Sequence, residues 1–212
     1  MTIIPHYKYE RNSPNIYANS FYIISKETNI NKFDNKEQDI VIRMIHACGI
    51  IEIVDNIEFG YDFSNIAYKA IINGAHILCD TEMVSLGIIR NRLSNNKVIC
   101  TLNDHNVKYL SKSIINTRSA ASIYLWKKKI YRSIVVIGNA PTALFHLLEL
   151  INDGWAHPYA IIGTPVGFVG AIESKEALAN NLFNIPYVIV RGRMGGSAIA
   201  ASIINALSIK NL

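Results

Sequence analysis

Cysteine is scarce in this chain and badly placed for chemistry: Cys48, Cys79 and Cys100 are odd in number, lie in apolar surroundings and show no C-x-x-C spacing. That excludes a disulfide framework and a thiolate zinc site, and it reads as free thiols of a reducing compartment. The histidines offer no metal site either, because neither H-x-x-x-H nor H-E-x-x-H occurs. Phosphate-binding signatures are missing. There is no G-x-x-x-x-G-K-[ST], and the segment IVVIGNAPTALF lacks both the G-x-G-x-x-G spacing and an acidic residue placed to take a ribose. Nicotinamide, flavin and nucleoside triphosphate cofactors are therefore not expected. A G-x-S-x-G nucleophile elbow is absent as well.

Long apolar runs are also lacking. None approaches the roughly 18 residues that span a bilayer, and MTIIPHYKYERNSPNIY does not have the charged-then-apolar order of a signal peptide. The expectation is a cytoplasmic protein without membrane attachment. Charged residues make up only 17% of the chain, and Lys127-Lys128-Lys129 is the one dense basic run, so a nucleic-acid groove is not expected.

What is present is a packed-globule composition. With 212 residues and 50% hydrophobic content, the chain can bury one sizeable core, and a single domain over 1–212 is expected. The net charge of +5 and pI of about 9.0 favour anionic ligands. Residues 1–19 are polar, contain Pro5 and Pro14, and read as a partly ordered arm. Asp34 and Glu37 stand in capping-box spacing ahead of a stripe of Ile40, Val41, Met44, Ile45 and Cys48 that stops at Gly49, which predicts a helix.

From residue 60 onward, short apolar runs alternate with helical periodicity. The runs are His76 to Cys79, Val98 to Leu102, Ile134 to Ile137, Tyr159 to Ile162 and Tyr187 to Val190. The prediction is an α/β fold: a mostly parallel sheet of about five strands flanked by helices, preceded by the arm and the helix. Ligands of such sheets sit beyond the carboxyl ends of the strands. The residues found there are Asp80, then Asn139 and Thr142, then the GTPVGF segment, and finally Arg191-Gly192-Arg193-Met194-Gly195-Gly196-Ser197.

The last of these is the sharpest motif. Glycines let backbone approach a ligand, a helix N-terminus favours an anion, and arginine forks onto carboxylate or phosphate. Arg191, Arg193, Gly195, Gly196 and Ser197 are candidate anion-binding residues on that ground; a plain strand-to-helix turn is the alternative. Arg118 and Ser119 would open another helix toward the same region, with Thr117 or Asn116 as a cap. His46 lies three residues after Arg43, so both share a helix face, and it occupies the last turn, where the helix dipole favours positive charge. A lone helical histidine is more often a core residue, so spacing alone leaves its role open.

Six blocks in order, RMIHACG, GAHILCDTEMV, NTRSAAS, VVIGNAPTALFHLLELI, GTPVGFVGAIESKEAL and RGRMGGSAIAASIINAL, resemble the precorrin-8X methylmutase family from about Ser20 to the C-terminus. The resemblance implies an α/β homodimer that uses no cofactor and no metal. It implies an isomerase of the corrin pathway that moves a methyl group from C-11 to C-12 of precorrin-8X, giving hydrogenobyrinic acid. On the matching positions, His46 becomes the proton donor and acceptor, Arg43 its companion, and Ser20 a substrate ligand. A polycarboxylate corrinoid would account for the positive charge, with Arg43, Arg118, Arg191 and Arg193 meeting its arms. The same reaction on cobalt-precorrin-8, or a corrinoid carrier without catalysis, are the alternatives. Two departures stand out: His76 replaces a proline, and Met194 replaces an arginine of the R-G-R-R-G-G-S form, which weakens one carboxylate contact.

Overall fold

Apolar strand residues alternate between two cores, which is why the strands read as continuous hydrophobic runs. Ile134 and Val136 enter one core, whereas Val135 and Ile137 enter the other. The computed structural model describes residues 6–209. Its strands are β1 (Ile57–Gly60), β2 (Ile77–Cys79), β3 (Val98–Cys100), β4 (Ile134–Ile137), β5 (Ala160–Gly163) and β6 (Tyr187–Val190). They form one sheet in the order β1-β6-β5-β4-β2-β3. All neighbours run parallel except β1, which pairs antiparallel with β6.

The helices are α1 (Ser13–Glu27), α2 (Asn35–Cys48), α3 (Phe63–Ile72), α4 (Glu82–Gly87), α5 (Val107–Ser113), α6 (Arg118–Ile123), α7 (Pro141–Asn152), α8 (Ala171–Ala179) and α9 (Ser197–Leu207). Helices α2, α3, α4 and α9 fill one face of the sheet, and α6, α7 and α8 the other. Helix α9 is largely apolar because it is largely covered: nine of its eleven residues, from Ser197 to Leu207, are buried. It packs along α2, whose Ile40, Val41, Met44 and Ile45 are buried as their spacing predicts. Truncating any one of these side chains to Ala would cost about 2–5 kcal/mol.

The predicted caps of α2 are present. Asp34 accepts from the Glu37 N–H while Glu37 reaches back to the Asp34 N–H, and Gly49 closes the helix in the left-handed region at φ 70°. Thr117 caps α6, as its position suggested.

Two expectations are corrected. The sheet has six strands where about five were expected; IEFG of β1 is short, half-exposed and antiparallel, and carries an acidic residue in place of the continuous apolar run that marked the others. The arm read over 1–19 is helical from Ser13 onward. Asn12 caps α1 and Pro14 sits in its first turn, where a missing N–H costs nothing. Residues 1–5 of that arm lie outside the described residues.

Candidate active site

The capping box and Gly49 fix where α2 begins and ends, and so place Arg43 and His46 one turn apart at its exposed end. Helix α1 lies across them. The Phe21 ring stands edge-on to the His46 imidazole at 5.5 Å with planes at 88°, and Tyr17 lies against the same imidazole at 5.5 Å. The Arg43 guanidinium sits 5.2 Å from the Phe21 ring centre. Two aromatic side chains of α1 therefore position both polar groups, and neither group has an acidic partner within ion-pair distance among the described residues.

Arg43 and His46 open into one cavity of about 260 Å³, which Tyr17, Ile89, Arg92, Ala198, Ala201, Ser202 and Asn205 also line. Small residues of α9 form its floor. Burial, and then the neighbouring Arg92 charge, pull the Arg43 guanidinium below its ordinary value. Asp39, one turn earlier on α2, has its carboxyl raised by burial, and the Arg43 charge opposes that rise.

Ser20 does not line this cavity; its hydroxyl donates to the Ile16 carbonyl within α1 at 2.8 Å. Asp80 is buried, and its carboxylate is fully engaged. One oxygen accepts from the Gly138 N–H at 3.0 Å, and the other from the Asn139 and Ala140 N–H groups at 2.9 Å each. Burial raises this carboxyl, against the lowering effect of the three N–H bonds. Asp80 thus shapes the β4–α7 loop, which presents the exposed Asn139 and leads into the first turn of α7, where Thr142 is half-buried.

The Thr142 and Thr117 hydroxyls lie 2.9 Å apart, joining this loop to the start of α6. Arg118 donates there to the Leu102 carbonyl and the Asn103 side chain. Ser119 gives its carbonyl to the Ser122 hydroxyl.

The RGRMGGS segment divides its two arginines. Arg191 pairs with Glu58 of β1, which also accepts from the Tyr187 hydroxyl at 2.6 Å. Arg193 is free of acid among the described residues and lies over Phe168 at 5.0 Å. Gly196 donates its N–H to the Thr164 carbonyl at 2.8 Å, zipping this loop to GTPVGF. Gly195 has φ +154°, and a Cβ there would meet the Thr164 carbonyl oxygen at 2.3 Å, so the position admits glycine alone. Ser197 is buried as the first residue of α9, whose N-terminus has no side-chain cap. Arg193 and Gly195 line a second, largely apolar cavity of about 250 Å³ with Cys48, Val166, Phe168 and Met194. The end of α2 separates it from the His46 cavity.

The residues identified by their sequence positions therefore fall into groups. Arg43 and His46 share one cavity, and Arg193 and Gly195 its neighbour. Arg118, Thr142 and Asn139 gather at the start of α6, while Arg191 is held by Glu58.

Sequence reading missed four contributors. Tyr17 lay inside the presumed arm, Arg92 and Asn205 carry no motif, and Lys175 is a lysine where a helix face should be apolar. Lys175 is 1% exposed, donates to the Met194 carbonyl at 2.9 Å from beneath the RGRMGGS loop, and is pulled by burial to about 8. Its partner Met194 is the position that departs from arginine, and only the backbone is used. The thiols are not activated: burial raises Cys48 and Cys79, and pushes Cys100 up to about 11.

Comparison with known proteins gives one answer. The family CbiC, precorrin-8X methylmutase, matches residues 15–209. A precorrin-8X methylmutase of a Sinorhizobium species is 50% identical over 206 residues, covering 97% of this chain and 98% of that protein. That of Pseudomonas aeruginosa is 47% identical over 201 residues, covering 94% and 97%. A cobalt-precorrin-8 methylmutase of Priestia megaterium is 35% identical over 196 residues, covering 92% and 86%. Among solved structures, a precorrin-8X methylmutase related protein superposes with a TM-score of 0.82 at 36% identity, covering 89% of this chain and 98% of that one.

Proposed function

The chain belongs to the precorrin-8X methylmutase family and is an isomerase of the corrin pathway; from that premise we propose that it moves the C-11 methyl group of precorrin-8X to C-12, giving hydrogenobyrinic acid, with His46 as proton donor and acceptor. One observation supports the residue assignment above the others. Arg43 and His46 project from a single helix end into one cavity, and both are positioned by the same aromatic ring of α1.

An intramolecular migration needs no external nucleophile and no electron carrier. A proton delivered from His46 to the conjugated macrocycle would redistribute charge along the path of the methyl group, and its return would leave the isomer. The remaining contribution of the protein is to hold the ring in one geometry and to balance its charge. The arms of the substrate are carboxylates, and the net charge of +5 suits them. Arg43, Arg118 and Arg193 are offered as partners for the arms, with Ser20, Ser119, Asn139, Thr142, Gly195, Gly196 and Ser197 as further substrate contacts. Asp80 and Arg191 complete the proposed substrate surface; like those of Arg118 and Ser20, their side chains are also bonded within the protein.

The substrate we favour is the metal-free one, because relatives bearing that name match at 50% and 47% identity against 35% for a cobalt-precorrin-8 enzyme. The protein works as one domain, as a cytoplasmic homodimer. Support for assembly comes from exposed apolar side chains such as Ile23, Phe168 and Val169, the last 90% exposed. No helix among the described residues is long and apolar enough to cross a membrane.

Purified protein mixed with precorrin-8X, and separately with cobalt-precorrin-8, tests the reading through the visible spectrum. The metal-free compound should convert faster. His46→Ala should lower turnover by about 10²- to 10⁴-fold while still binding hydrogenobyrinic acid. Normal turnover in that variant would remove His46 from its role, and binding without conversion by the unmodified protein would make it a carrier.

A further inference from the structure

Arg92 stands in the loop between α4 and β3, outside every strand-end motif, yet it lines the His46 cavity together with Arg43. The same two arginines also border a third cavity, of about 470 Å³, lined by Asn91, Ser208 and Ile209. Both spaces therefore share the two arginines in their walls. Arg92 is not loose. It is half-buried, and its guanidinium donates to the Asn205 carbonyl at 3.2 Å. Asn205 in turn accepts from the Ile89 N–H at 2.8 Å and donates to the Gly87 carbonyl at 2.9 Å, so one residue of α9 fixes the whole loop.

One of the five donors of Arg92 is used in this way, and the residue lines both cavities. Neither Arg92 nor Arg43 has an ion-pair partner among the described residues. Two like charges held side by side and partly desolvated repel each other, and a bridging anion relieves both the repulsion and the lost hydration. The other ionisable neighbours of Arg43 are Tyr17, Asp39 and His46, and none of them bonds it.

We infer that Arg92 and Arg43 form a two-arginine clamp for one carboxylate arm of the macrocycle, which makes Arg92 a substrate-positioning residue of this enzyme. The inference rests on the corrinoid reading of the same cavity. The arm would pass between the guanidiniums beside His46, its carboxylate accepting from both, and so set the register of the ring against the proton donor. Asn205 acts through Arg92 by holding it.

The test uses the intact protein with three probes: precorrin-8X, hydrogenobyrinic acid, and hydrogenobyrinic acid analogues in which a single arm is a neutral amide. Arg92→Gln should raise KM for precorrin-8X by about tenfold to a hundredfold, with a smaller change in kcat, and should raise the Kd for hydrogenobyrinic acid by a similar factor. One amide analogue should bind the unmodified protein more weakly by that factor and bind Arg92→Gln no worse than the acid itself. Arg92→Lys should fall between, since an ammonium cannot fork. If Arg92→Gln fails to fold by circular dichroism, Arg92→Lys carries the same analogue comparison. Arg132→Gln, at the far end of β4, should change nothing.

A wild-type KM in Arg92→Gln, or weakening by every amide that simply adds to the effect of the variant, would overturn the clamp. Failure of the unmodified protein to convert precorrin-8X would instead overturn the reaction assignment.

Discussion

Phe21 of α1 stands edge-to-face against His46 of α2, centroids 5.5 Å apart, and the same ring lies under the Arg43 guanidinium. The ring binds the two polar groups of the cavity into one unit. Aromatic pairs and cation–π contacts at partly exposed sites contribute about 0.5–1.5 kcal/mol each. Phe21→Leu keeps apolar bulk and removes both, so kcat/KM should fall by roughly 3- to 30-fold, with little loss of thermal stability. Steady-state kinetics beside a melting curve would show it, and an unchanged kcat/KM would mean that the ring only fills space.

The second expectation concerns pH. Lys175 is buried, and burial lowers its pKa from 10.5 to about 8. Between those values the unfolded chain binds the proton more tightly than the folded one, so stability rises as pH increases from about 8 to 10.5, by an amount on the order of 1–3 kcal/mol from this group. Lys175→Met should abolish that rise. Urea denaturation across the window measures it directly; the same slope in both proteins would assign it to another group.

Gly195 and Gly196 should respond unequally to alanine. Both have positive φ, yet a Cβ at Gly195 would strike the Thr164 carbonyl oxygen, whereas at Gly196 the nearest side-chain atom is 3.9 Å away. Gly196→Ala should cost the backbone strain, about 1–2 kcal/mol. Gly195→Ala should cost at least about 3 kcal/mol and part the GTPVGF and RGRMGGS loops. Equal melting temperatures in the two variants would contradict this geometry.

Asp80→Asn tests the support of the β4–α7 loop. The amide keeps the shape but turns one acceptor into a donor facing N–H groups of residues 138–140. A loss of about 2 kcal/mol or more is expected from the unsatisfied donors. Hydrogen exchange at the Asn139 and Ala140 amides should accelerate well beyond that of β4 itself.

Much of this architecture is written locally, and the limits of that writing are physical. Strands β2, β4, β5 and β6 announce themselves because both faces are buried, β3 because its short run is apolar although it lies half-buried at the edge, and α2 because its caps and stripe lie within sixteen residues. Strand β1 escapes, being held by pairing with β6 and carrying a half-exposed sequence. Helix α1 escapes because Pro14 resembles a breaker until it is seen in the first turn. At the site, Arg43 and His46 are legible from helical spacing, which brings neighbours together by a fixed rule. The engagement of Arg191 by Glu58 is not legible, as 133 residues separate them. Nor is the placement of Arg92 beside Arg43, which depends on α9 holding a loop more than a hundred residues earlier in the chain.

Asn205 ties that loop through bonds to Gly87, Ile89 and Arg92. Ribosomal synthesis runs from His46 through the 87–92 loop long before it reaches α9. A chain still on the ribosome can therefore carry His46 and both arginines and yet have no cavity floor and no tether for Arg92. On the proposed reading of the cavity, corrinoid binding begins only once the helix that carries Asn205 has docked, so the appearance of binding during translation would time that docking.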